Sequence, residues 1–197
     1  MKMEEKLTLD ALLERIKSDD PNVRTEAWQA AGSVGCAAIK PLAKIVAEGE
    51  LEVGRAANRA MWKIVHTAGA PGAGDAKGAV ERELIGLLGN DQPASVRREV
   101  FWMLSEIGGD DTVAAIRDIP DILDQTEIRE DARCCVERIP TEAAVEALKE
   151  GLEEAPDDFA LAIAQSLRAR GVEVDPQQYP CRKLVPTKQT SVKPVPK

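Results

Sequence analysis

The sequence predicts an all-α fold, a right-handed α-solenoid of about five helix-turn-helix repeats, and three observations carry that expectation. The first is an apolar stripe that returns down the chain. Val23, Ala27, Ala30, Ala31 and Val34 stand at offsets 0, 4, 7, 8 and 11, and the same offsets select Val53, Ala57, Ala60, Met61 and Ile64. They select Val96, Val100, Met103, Leu104 and Ile107, then Ile128, Ala132, Cys135, Val136 and Ile139. This is the stripe that a period of 3.6 residues lays on one side of a helix. A fifth copy begins at Phe159, and the first residues of successive copies are 30, 43, 32 and 31 positions apart, a repeat of about thirty with one insertion. The second observation is a preceding helix held at constant phase, which is the signature of a stacked αα-hairpin. The third is composition: 44% hydrophobic residues but only 3% aromatics suits helices packed closely through small side chains.

The elements follow in order. Leu9, Leu12, Leu13 and Ile16 form the first helix of the first pair. In the turn Ser18-Asp19-Asp20-Pro21-Asn22 an acid caps the second helix and Pro21 presets its first φ. Ile39, Leu42, Ile45 and Val46 precede Val53 in the same phase. Between Val65 and Val80 a Gly-rich insertion, residues 66–78, accounts for the long spacing and is expected to be a loop. Its Gly and Lys residues lack the phosphate-loop spacing and follow a helix, so they do not predict nucleotide binding. Asn90-Asp91-Gln92-Pro93-Ala94-Ser95 repeats the capped turn in the third pair. In the fourth, Pro120 inside Ile116–Leu123 removes an amide and is expected to bend or restart the helix. Val145, Leu148 and Leu152 lead into the fifth pair, which keeps Ile163 and Leu167 but has Ser166 and Arg170 at the other stripe positions. The periodicity stops after Gly171. The expected division is a solenoid over residues 1–174 and a basic, proline-rich, disordered tail over residues 175–197.

Charge and cysteines narrow the function. The net charge is −8, but residues 176–197 hold five bases and no acid, so the remainder carries 21 bases against 34 acids. A body of −13 repels phosphate backbones and argues against nucleic acid as the main ligand. Cys36, Cys134, Cys135 and Cys181 show no Cys-x-x-Cys spacing, and with a single histidine there is neither a metal-ligand pattern nor a charge relay. No stretch has the length and apolarity of a membrane span or a signal peptide, so the chain is expected to be soluble and cytoplasmic, without a membrane partner and without a cofactor.

Asp20, Pro21, Val23 and Arg24, with Val96 and Arg97 and with Ile128 and Arg129, resemble the turn signature of HEAT repeats, and the short bacterial type named after phycobilisome lyases is the most similar. The resemblance covers residues 8–171. It implies that Arg24, Arg97 and Arg129 form a structural ladder between adjacent repeats; the second unit departs, with Gly54 at that place and Arg55 one later. It also implies a scaffold that holds other proteins on a surface lined by the second helices. Di-iron relatives need several His-Glu pairs, which this chain lacks, and glycosylase relatives need a basic groove.

The candidate surface comes from the residues themselves. Offsets 2, 5, 6 and 9 oppose the core stripe, and in the first three units they bring together Trp28, Arg55, Arg59, Trp62, Arg98, Phe101 and Trp102. Trp and Arg anchor interfaces because they bury large areas and make stacked or bidentate contacts. The expected function is a non-catalytic scaffold that binds a protein or peptide bearing acidic and apolar groups. The alternative is a phycobilin-lyase-like or other modifying enzyme that uses the same groove for a small molecule or cofactor. A third reading has the acidic body recruiting the basic tail of another copy. His66 is read as a helix-end charge, and Cys134 as a residue on the candidate face with only Arg133 nearby in sequence to lower its pKa.

Overall fold

A computed structural model describes residues 7–181; most of the expected tail, residues 182–197, lies outside the described residues. Those residues fold into ten α-helices, with no strand among them. The helices are α1 (Leu9–Ile16), α2 (Pro21–Ala30), α3 (Ile39–Glu48), α4 (Leu51–Ala68), α5 (Ala76–Ile85), α6 (Ala94–Ile107), α7 (Asp110–Arg117), α8 (Arg129–Arg138), α9 (Glu142–Glu154) and α10 (Asp157–Ala169). The even-numbered helices pack in a row, α2 on α4, α4 on α6, α6 on α8 and α8 on α10, and α3, α5, α7 and α9 pack successively beside them. The core lies between the two rows.

The first turn is built as its residues dictate. The Asp20 carboxylate accepts from the Asn22 amide at 2.8 Å, and Pro21 opens α2. This cap satisfies one of the free amides of the first turn, so Asp20→Ala is expected to lower stability by about 0.5–2 kcal/mol in urea unfolding. Glu81 of α5 does similar service at a distance. It is buried, and its Oε1 accepts from the Gly109 amide and the Thr112 hydroxyl, each at 2.7 Å, which anchors the start of α7.

The stripe positions of the second to fifth copies are buried apart from Val53 and Arg170, which are half-buried, and all five of the α6 set are core. Ala30 departs from the pattern and is exposed. The reason lies at the equivalent position of α10, where Ser166 is fully buried because Arg133 and Glu137 of α8 meet its hydroxyl. Offset 7 therefore faces the preceding helix pair, and no described helix stands on that flank of α2. Arg170, the polar residue at offset 11, is also used: its guanidinium donates to the carbonyls of Glu137, Ile139 and Thr141 and ties α10 to the end of α8.

Two local expectations are adjusted. Helix α4 continues through His66 to Ala68 and α5 begins at Ala76, so the loop expected over residues 66–78 is reduced to 69–75. Val65 and Ala68 are buried, which gives the helix a reason to continue past the stripe. Gly72 and Gly74 make the turn, at φ 84° and 60° in the left-handed region that a Cβ disfavours. In the fourth pair α7 ends at Arg117, three residues before Pro120, and residues 118–128 run as turns. None of the described helices is long and apolar enough to cross a membrane.

Candidate functional site

The face of α2, α4 and α6 proposed from the sequence separates into an open line and a covered one. Offsets 2 and 6 are open, so Arg55, Arg59, Arg98 and Trp102 are exposed. Offsets 5 and 9 turn toward the next helix pair. There Trp28 and Trp62 are half-buried and pack against the core, while Phe101 is fully buried. Phe101 is thus removed from the candidate surface and belongs to the core. At 100° per residue, offset 5 lies about 115° from the centre of the core stripe, on the flank and not the opposite side. That flank position was the signal in the sequence that could have identified it.

The indoles and cations are tied to carboxylates of the following helix. Trp62 Nε1 donates to Glu99 Oε2 at 3.3 Å, and Asn58 Nδ2 donates to the same oxygen at 3.0 Å. One pair further on, Trp102 Nε1 donates to Asp131 Oδ1 at 2.8 Å and Arg98 Nε to Asp131 Oδ2 at 2.9 Å. Glu99 and Asp131 both occupy offset 3 of their own helices. The first helix pair has no such link, because offset 3 of α4 is Ala56. Each clamp joins α4 to α6 or α6 to α8, so part of this Trp/Arg stripe is inter-helix structure.

The two remaining arginines differ from Arg98. Arg55 pairs with Glu52 at 2.6 Å within its own helix, across two exposed side chains, a contact of little energetic weight. Arg59 has no ion pair and no side-chain hydrogen bond among the described residues. Trp102 keeps 38% of its surface exposed although its N–H is used. The open part of the site is therefore Arg55, Arg59 and the exposed ring of Trp102, with Trp28 and Trp62 at its edge.

The residues singled out as a ladder behave in three ways. Arg129 Nη1 donates to the Leu123 carbonyl and Nη2 pairs with Asp158 of the next helix pair at 2.6 Å, while its guanidinium lies 4.7 Å from the Phe159 ring centroid. Arg97 is buried and donates Nη1 to Gln125 Oε1 at 2.8 Å, also in the next pair; burial pulls its pKa down and Asp91 opposes that. Arg24 instead turns back to the carbonyls of Ser18 and Asp19 in its own turn. It links nothing to the second pair, which differs from the expected ladder.

Cys134 lies half-buried beside Arg133, whose Nη2 is 3.0 Å from the sulfur. Burial raises the thiol pKa more than Arg133 lowers it, so little thiolate forms at neutral pH. Arg133 is occupied elsewhere, bonded to Glu130, Glu137 and Ser166. The hydrogen bond from Arg133 in turn holds the Glu130 carboxyl below the usual carboxylate range. His66 is exposed in the last turn of α4, with its ring centroid 5.4 Å from that of Trp62.

No family model matches the sequence, and no curated protein matches it. Among solved structures, the crystal structure of an engineered protein from the Northeast Structural Genomics Consortium is similar over 81% of this chain and 77% of its own. The two are 22% identical, with a TM-score of 0.39, too low for the folds to be equated.

Proposed function

We propose that the chain is a HEAT-like right-handed solenoid of five helix pairs and that it serves as a non-catalytic scaffold. It holds a protein or peptide along the open line of the even-numbered helices, at Arg55, Arg59 and Trp102, with Trp28 and Trp62 flanking. The observation that carries this reading is Arg59. Every other described arginine has an ion pair or a side-chain hydrogen bond, whereas Arg59 has neither among the described residues and stands exposed on the same open line as an exposed tryptophan. A guanidinium so placed suits a carboxylate, and the indole suits an apolar neighbour, so the ligand class is a peptide with acidic and apolar groups. Cys134 lies on the continuation of this face, and burial raises its thiol pKa, which disfavours a thiolate there.

The test uses Arg55→Ala with Arg59→Ala and leaves Arg98 intact, because Arg98 also holds Asp131. Both targets are exposed, so unfolding free energy is expected to change by less than about 0.5 kcal/mol. In affinity capture from lysate, a protein retained by the wild type is expected to be lost by the double variant. Retention of the same proteins by both would remove this surface from consideration.

A further inference from the structure

The shortened α7 leaves a crevice. Beyond Arg117 the chain runs as turns through residue 128, with Asp121 at φ 52°, and α8, α9 and α10 enclose the space beside it. The cavity measures about 300 Å³, and its walls include Ile122, Leu123, Leu148, Phe159 and Ile163. That is room for about ten water-sized groups, enough for one bulky side chain. Gly151 enlarges it from within α9. A Cβ there would meet only Ile163 Cδ1 at 3.7 Å and Leu123 Cδ2 at 3.9 Å, which is ordinary contact. Packing does not demand a glycine at this point, and a helix interior is less stable with glycine than with alanine.

The cavity wall itself carries Arg117, Arg129 and Arg133 beside Glu150 and Glu154, but acids dominate the surrounding segment. Residues 109–158 carry sixteen acids and five bases. Every one of those bases is in an ion pair: Arg117 with Glu150, Arg129 with Asp158, Arg133 with Glu130 and Glu137, Arg138 with Glu106 and Lys149 with Glu146. Glu154 lines the cavity, and neither it nor Glu153 has an ion pair or side-chain hydrogen bond among the described residues. Both stand in the last turn of α9, which holds no base. The carbonyl end of a helix is itself negative, so these acids repel the dipole and each other. A cation at this mouth relieves both repulsions.

We propose that this crevice docks a short basic segment of a partner protein that carries one bulky apolar residue. The apolar side chain enters the cavity, and the flanking Lys or Arg meet Glu153 and Glu154. This site is separate from the open line of Arg55, Arg59 and Trp102, and its charge preference is the opposite.

The test is fluorescence anisotropy on the full chain with two fluorescein-labelled peptides, each with two lysines on either side of a central phenylalanine or alanine. The phenylalanine peptide is expected to bind at least about tenfold more tightly, as burial of one aromatic side chain implies. Glu153→Lys with Glu154→Lys is expected to weaken it about tenfold and to flatten its salt dependence. Gly151→Met, which fills the cavity, is expected to abolish the preference for phenylalanine while keeping the salt dependence. Should Gly151→Met melt early, Ala147→Met on the same wall takes its place. Equal binding of the two peptides, a preference that survives the filled cavity, or no binding to the wild-type chain would each overturn the proposal.

Discussion

Phe101→Ala is expected to lower the unfolding free energy by about 3–5 kcal/mol. Phe101 is the largest fully buried side chain among the described residues, in the middle of α6, where Val100, Met103 and Leu104 are also inaccessible. Removal of the ring loses its transfer free energy and leaves a void that neighbouring side chains fill only in part. Urea unfolding at constant m-value measures the effect. The outcome also decides between two readings of one residue. A large loss of stability keeps Phe101 in the core; a loss below about 1 kcal/mol, with a specific loss of partner binding, would return it to the surface described from the sequence.

Asp131→Ala is expected to cost about 1–3 kcal/mol. The Asp131 side chain is only 10% exposed, and both of its oxygens are occupied, one by the Trp102 indole and the other by Arg98. A fully buried ion pair broken on one side would cost more. Here the Arg98 side chain is 58% exposed and can recover water, which moderates the loss. Asp131→Asn keeps one acceptor oxygen and is expected to recover part of it. A double-mutant cycle with Trp102→Phe isolates the indole hydrogen bond, for which a coupling of about 1 kcal/mol is expected. Additivity of the two substitutions would mean that the indole contributes nothing through Asp131, and Trp102 would then be wholly available to a partner.

The clamp also explains why the interaction surface was harder to read than the helices. Glu99 and Asp131 sit at the same offset of successive helices, so their repetition was present in the sequence. Nothing in a single helix, however, says that offset 3 of one meets offsets 2, 5, 6 or 9 of the one before. The relation between Trp62 and Glu99 spans 37 residues, and that between Trp102 and Asp131 spans 29. Such contacts depend on how two helices lie against each other. Arg24 makes the same point: its type and position match Arg129 and both donate to their own loop, yet only Arg129 also reaches the next pair, at Asp158. The residue of the second pair that matches Asp158 is Glu52, also an acid, but it pairs with Arg55 of its own helix.

The sequence by itself determined the helices and their inner faces. A 3.6-residue period is a local property that a one-sided apolar stripe suffices to define, and Asp20 caps α2 as expected, although the turn of the third pair places Pro93 before α6 with no side-chain cap. It also signalled the break near Pro120, since a missing amide acts within one turn. Tertiary structure alone decided which flank of each even-numbered helix is covered by the next pair. That covering buried Phe101 and left Arg59 in the open. It also decided that the shortened α7 would leave a cavity walled by three other helices. Burial of a flank and the volume between helices are properties of neighbours, and a helical period carries no information about neighbours.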